Sequence, residues 1–291
     1  GIPPHKRDIS MVFQNYALFP HLSVYENIVY GLKTRKIKDK KVLMEKAREM
    51  MNLVQLEGVE NRLPKELSGG QQQRVSLARA MIVEPKVMLF DEPLSNLDAK
   101  LREKTRVEIR NLLKKMNVTA IYVTHDQEEA LTISDRIAVM NKGRIEQITE
   151  PSSLYTRPAT RFIAGFVGHA NIVEGSVTKA TEDRFAVKLT SGEEIWAKAD
   201  PVKKAAAGDG AVLIIRPENI RLHDEKPDKS NILSGTVKAK IYLGSTLRYV
   251  IEMAGNNDFE VDLHTKDEGR AVEGDMIYLE LDENGLILVE R

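Results

Sequence analysis

Residues 86–100, KVMLFDEPLSNLDAK, set two carboxylates, Asp91 and Glu92, directly after the apolar run Val87–Phe90, with Pro93 next. An acid at the C-terminal tip of a buried parallel strand lies where α/β sheets bind ligands, and it suits a magnesium ion held directly or through water. The acid beside it can polarise a water attacking a γ-phosphate. The same pair could do no more than cap the turn that follows. A second stretch, KELSGGQQQRVSLARAM (65–81), joins a good helix N-cap, Ser68, to Gly69 and Gly70. Glycines there let a phosphate approach the backbone, and the first free N–H groups of the helix point at an anion. Val75, Leu77, Ala78 and Met81 form its apolar face. An ordinary capped helix accounts for Ser-Gly-Gly but not for the whole string.

These residues need a scaffold. In residues 1–150, ISMVF (9–13), KVMLF (86–90), TAIYVT (119–124) and RIAVM (136–140) read as strands buried on both faces. Helical periodicity runs over 39–56, 71–84, 98–116 and 126–134. The alternation predicts a parallel sheet with crossover helices. The basic stretch KTRKIKDKK before the first of these helices reads as a solvated helix entrance. From about residue 165, alternating Val, Ile and Thr with turns at TSGEE, AAGDG, AGNND and DENG predict antiparallel β-structure. NIVEGSV (171–177) is echoed by NILSGTV (231–237), and GDGAVLI (208–214) by GDMIYLE (274–280). A repeat of this size matches a small five-stranded Greek-key barrel, so two such units are expected.

Composition narrows the classes. Residues 1–150 carry 25 Lys and Arg against 20 Asp and Glu, and residues 151–291 carry 18 against 23, so neither half has the basic bias of a nucleic-acid binder. The absence of cysteine excludes disulfides and Cys-ligated zinc. No apolar run approaches the ~18 residues of a membrane span.

Taken together, LSGGQQQR and LFDEPLSNLD resemble the signature motif, Walker B strand and D-loop of ATP-binding cassette (ABC) ATPases. MVFQNYALFPHLSVYENI (11–28) resembles their Q-loop, with Gln14 the motif glutamine, and YVTHDQEEAL (122–131) their switch segment, with His125 its histidine. The β-rich tail resembles the paired OB-like (TOBE) regulatory domain of importer ATPases. The fold implied is an α/β P-loop NTPase-type ABC domain, incomplete, over 1–150, with a helical subdomain at about 17–84. A linker at 151–168 and two OB-like β-barrel repeats, about 169–229 and 230–291, follow. The resemblance implies ATP and Mg2+ as cofactors. It assigns Gln14 to magnesium, the γ-phosphate and sensing of the membrane partner, Asp91 to magnesium through water, Glu92 to the general base and His125 to the γ-phosphate. Ser68, Gly69, Gly70 and Gln71 would bind the nucleotide held mainly by a second copy, and Asp98 would link the two sites of a head-to-tail homodimer.

A phosphate-binding loop of the form G-x-x-x-x-G-K-[ST] should precede a Q-loop, and no Gly-Lys pair occurs in these residues. With an opening that has no Met and runs at once into ISMVF, the sequence reads as an N-terminally truncated record. The 291 residues alone are therefore expected neither to bind nor to hydrolyse MgATP measurably.

The resemblance also implies partners: transmembrane permease subunits, an extracytoplasmic solute-binding protein acting indirectly, and a peripheral place on the cytoplasmic face of the cell membrane. Tyr16, Leu18, Phe19 and Pro20 are either the permease-docking surface or core of the helical subdomain. Gly168-His169-Ala170-Asn171-Ile172 departs from the sugar importers, and YLGSTLRYVIEM (242–253) looks polyamine-like, so spermidine/putrescine import ranks first, with ferric iron and then sugars behind it. Two other classes stay open: a soluble ABC protein outside transport, and a catalytically dead regulatory module. In the tail Trp196 reads as a strand core residue, and His169, His223 and His264 suggest no metal site.

Overall fold

The computed structural model describes residues 1–3, 6–200, 205–254, 258–267 and 271–290. The middle of the expected AGNND turn lies outside them. The chain forms two compact units, 1–137 and 138–291.

The first unit runs β1 (Ile9–Val12), α1 (Val24–Thr34), α2 (Lys40–Leu53), α3 (Gly69–Met81), β2 (Val87–Asp91), α4 (Ala99–Met116), β3 (Thr119–Val123) and α5 (Gln127–Ile133). Its strands pair in parallel in the order β1-β2-β3, with Val12 beside Phe90 and Phe90 beside Tyr122. Side-chain caps begin the helices. Ser23 and Glu26 form a capping box, as do Ser68 and Gln71, while Asp39, Asp98 and Asp126 accept from first-turn N–H groups. One apolar core joins Val12, Met88 and Phe90 of the sheet to Ile28, Val75, Leu77, Met81 and Ile109 of the helices. Within this chain β3 is not covered on both faces as its apolar run predicted: Ile121 and Val123 are 58% and 52% exposed.

The chain continues with β4 (Ile137–Asn141), which begins at the last residue of the first unit, and the second unit then holds β5 (Arg144–Thr149), α6 (Pro151–Thr156), α7 (Arg161–Phe166), β6 (Asn171–Ala180), β7 (Arg184–Leu189), β8 (Glu194–Lys198), β9 (Gly210–Ile215), β10 (Ile220–His223), β11 (Ile232–Tyr242), β12 (Thr246–Met253), β13 (Asp258–His264), β14 (Met276–Leu281) and β15 (Ile287–Val289). RIAVM does not join the parallel sheet: among the described residues β4 pairs with β5 alone. Lys142 and Gly143 between them both have positive φ, 47° and 78°, the geometry of a tight hairpin turn. The stretch 151–168 is largely helical, through α6 and α7.

The echoed segments take equivalent places, on β6 and β11, in two five-stranded sheets that exchange strands. One sheet has the order β15-β9-β6-β7-β8 and the other β10-β14-β11-β12-β13. Each takes its fifth strand from the other repeat, and residues of both sheets share one core. The echo extends to detail. Register shifts fall at Val177/Lys179 and Val237/Ala239, and a Cβ on Gly175 or Gly235 would strike a neighbouring carbonyl, Lys188 O or Glu252 O.

The repeated asparagines lock the halves reciprocally. Asn171 donates to Glu260 O and accepts from Glu260 N, both at 2.7 Å, on β13. Asn231 does the same to Trp196 O and N on β8, both at 2.7 Å. Both asparagines are 5% exposed. Asn231→Ala strands one N–H and one C=O of β8, so it should lower stability by about 2 kcal/mol in urea unfolding followed at Trp196. A loss below a few tenths would remove the clamp from the account.

Candidate functional site

Three parallel strands bring their C-terminal tips to one edge, and the site is what lies just past those tips. Gln14 follows β1 by two residues, Glu92 follows β2 by one, and His125 follows β3 by two. Their side chains meet. Gln14 Nε2 donates to Glu92 Oε2 at 3.2 Å, and His125 Nδ1 lies 3.3 Å from Glu92 Oε1. Glu92 is held in the left-handed region, φ 44°, which an L-residue adopts at a cost. Its N–H donates to Val123 O at 3.0 Å, and its carbonyl accepts from Ser95 Oγ at 3.0 Å. A carboxylate so fixed, with one neighbour on each oxygen and a side chain still 31% exposed, can accept a proton from a water in front of it.

Asp91 is exposed at the tip of β2, with no side-chain hydrogen bond or ion pair among the described residues. Asp98 is exposed and caps α4 through Leu101 N at 3.0 Å. Neither it nor the start of α3 bonds to the Gln14–Glu92–His125 group. At that start Ser68 Oγ accepts from Gln71 N at 3.3 Å, and Gln71 Oε1 accepts from Ser68 N at 3.0 Å, so the Gln71 side chain is engaged in the cap. Ser68 and Gly69 are exposed. A Cβ on Gly70 would lie 3.0 Å from Leu101, so close approach of α4 is itself a reason for glycine there.

Several residues that sequence reasoning passed over build the frame. Asn96 Nδ2 donates to Gln14 O at 2.8 Å. Tyr16 and Ala17 both have positive φ, 60° and 46°. This tight loop is pinned by α3: Ser76 Oγ and Arg79 donate to Tyr16 O at 3.0 and 2.8 Å, and Arg79 to Ala17 O at 2.6 Å. Asn27, fully buried, holds Phe19 at both N and O. Tyr16 is therefore buried and Leu18 packs against the core, whereas Phe19 is half-buried and Pro20 exposed. Of the four residues offered as a docking surface, two face inward, and Tyr30, 4.5 Å from Phe19 between ring centres, joins the outer pair.

The segment that follows His125 is tied down by a ladder of cations spaced four apart on α4. Arg102 and Arg106 reach Asp126 at 3.4 and 2.8 Å, Arg110 donates to Ile133 O at 2.8 Å, and Lys114 reaches Asp135 at 2.8 Å. Tyr122 Oη donates to the buried Glu129 at 2.9 Å. Burial by itself would raise the Asp126 carboxyl, but the Glu129 N–H and the Arg106 charge outweigh it and hold the group below the usual carboxylate range. The stabilisation it gives α5 is thus complete above a pH of about 4 and lost as pH falls through its depressed value. Amide protection factors across Glu128–Ala130, corrected for the intrinsic pH dependence of exchange, should hold from pH 7 down to about 4 and fall only below that.

The ABC transporter family matches residues 2–95, and the TOBE domain family matches residues 213–289. The chain is 42% identical over 282 residues to the spermidine/putrescine import ATP-binding protein PotA of Thermobifida fusca, across 96% of this chain and 72% of that protein. It is 45% identical to the protein of the same name from Rubrobacter xylanophilus, across 86% of this chain and 66% of that one. It is 46% identical to the Fe(3+) ions import ATP-binding protein FbpC of Brucella melitensis, across 90% and 72%. The chain thus spans about two thirds of the length of the curated relatives it matches.

Proposed function

The chain belongs to the ATP-binding subunits of ABC importers that carry a TOBE domain, and from that premise we propose that it serves ATP-driven solute import, with Glu92 as the base of hydrolysis. The observation that carries this reading is the convergence of Gln14 and His125 on the two oxygens of Glu92. Glu92 takes the proton of the attacking water. His125 orients Glu92 and contacts the γ-phosphate. Ser68, Gly69, Gly70 and Gln71 meet the nucleotide of a second copy in a head-to-tail homodimer, and Asp98 links the two sites.

No group of three His, Cys, Asp or Glu able to hold a metal occurs among the described residues. The free carboxylate of Asp91 and the Oε1 that Gln14 does not spend on Glu92 are hard oxygen donors, which fits a magnesium ion held mainly by phosphate and water. When bound, that ion neutralises charge on the phosphates.

Spermidine or putrescine is the favoured cargo class, since relatives with that printed name match most of the chain at 41% to 46% identity. Ferric iron is the second reading, on the FbpC match. Among the described residues no helix is long and apolar enough to cross a membrane. Attachment to the cytoplasmic face would come through permease subunits, which Phe19, Pro20 and Tyr30 would meet, with a solute-binding protein acting indirectly. Tagged chain expressed with its neighbouring permease genes should pellet with membranes and release on Phe19→Asp. A wholly soluble pool would favour an ABC protein outside transport. The 291 residues by themselves should show no saturable MgATP binding by calorimetry, because no phosphate-loop lysine is present in them.

A further inference from the structure

We infer that an enclosed water joins the loop carrying Gln14 to α3, bound between the Tyr16 hydroxyl and the Gln73 side-chain amide. Three buried polar atoms lack a hydrogen-bond partner there: Tyr16 Oη, Gln73 Nε2 and Gln73 Oε1. Gln73 is 0% exposed and Tyr16 6%. Buried groups of this kind are regularly served by ordered water.

Helical register and two contacts of Tyr16 set the three atoms along one side of α3. Residues 69, 73 and 76 are four and three apart on α3 and share a face. Tyr16 lies along that face. Its carbonyl accepts from Ser76 Oγ at 3.0 Å, and its hydroxyl sits 3.9 Å from where a Cβ on Gly69 would stand. Gln73 falls between those two contacts. Helical side chains lean toward the helix N-terminus, so Gln73 leans toward Gly69, near which the Tyr16 hydroxyl stands. Burial pushes the Tyr16 hydroxyl up, so it keeps its proton and donates at neutral pH. The amide across the gap supplies the remaining partners. With Gln14 two residues before Tyr16 and Ser68 five before Gln73, the water fastens the first element of the site to the helix that opens at Ser68.

A crystal structure of the 291-residue chain tests this directly. The expected density is a water about 2.7–3.2 Å from both Tyr16 Oη and an amide atom of Gln73. An empty gap, or a Gln73 amide turned onto protein groups, overturns the inference. Urea unfolding of Tyr16→Phe, Gln73→Met and the double variant is a second, independent arm. Each single change strands a polar atom and should lower the midpoint. The double change leaves none stranded, so its midpoint should lie at or above that of the weaker single variant. Midpoint losses that simply add would contradict a shared water.

Discussion

Glu92→Gln should stop ATP turnover while leaving nucleotide-driven dimerisation intact, in a protein that carries a phosphate loop ahead of these residues. Glutamine keeps the length of the side chain, and its Oε1 can still accept from Gln14 Nε2, which now donates at 3.2 Å. The left-handed backbone at residue 92 is held by Val123 O and Ser95 rather than by the carboxylate, so the turn should survive. What disappears is the group that accepts a proton from water. General-base catalysis is worth about 10²–10⁴-fold, so turnover should fall by at least ~100-fold. Phosphate release measures the first effect, and size-exclusion chromatography with ATP measures the second. Undiminished turnover would remove Glu92 from the role of base. Lost dimerisation would mean the substitution had damaged the site rather than its chemistry.

Arg216→Met should weaken the second unit by about 3–5 kcal/mol, as expected when one side of a buried charged hydrogen-bond set is removed. Arg216 is 2% exposed. Its guanidinium donates to Ala164 O at 2.9 Å, His169 O at 2.8 Å and Tyr155 O at 3.1 Å, and lies 4.1 Å from the Tyr155 ring centre. Tyr155 in turn donates to Glu218 at 2.6 Å; burial, followed by that bond and the carboxylate's charge, pushes its hydroxyl up to about 12. One side chain therefore fixes α6, the end of α7 and the start of β6 to the end of β9. Methionine fills much of the volume but leaves the carbonyls without a donor. Arg216→Lys keeps the charge without the planar fork and should recover only part of the loss. Urea unfolding followed at Trp196, the single tryptophan, reads the effect. A loss under about 1 kcal/mol for Arg216→Met would show that those carbonyls find other donors.

The sequence disclosed what is local. The apolar runs ISMVF, KVMLF and TAIYVT announced strands, and Ser68 announced a helix start, because capping acts within three residues. Of the site, only the acids after Phe90 were legible from a strand tip; Gln14 and His125 came from the resemblance, and each stands two residues beyond a strand. What stayed hidden is pairing between residues far apart in the chain. Asn96 meets Gln14 across 82 positions, and Arg79 meets Tyr16 across 63. Nothing in either segment encodes its partner. The cations at 102, 106, 110 and 114 were visible as a helical stripe, yet a stripe of charge more often faces solvent. RIAVM carried a strand signal without a partner. The Lys142-Gly143 turn was the clue that it folds back on β5. In the tail the 60-residue echo was legible, and so were Asn171 and Asn231 as repeated positions. The exchange of β10 and β15 between sheets was not, because alternation specifies a strand but not its neighbour.

The measurement that tests the central claim most directly is MgATP hydrolysis by these 291 residues joined behind a segment that carries a phosphate loop of the form G-x-x-x-x-G-K-[ST]. The expected result is turnover in the joined protein, its loss on Glu92→Gln, and none in the 291 residues alone. Full turnover with Glu92→Gln, or hydrolysis by the 291 residues alone, would contradict a site in which Gln14, Glu92 and His125 act on a nucleotide that a separate loop must hold.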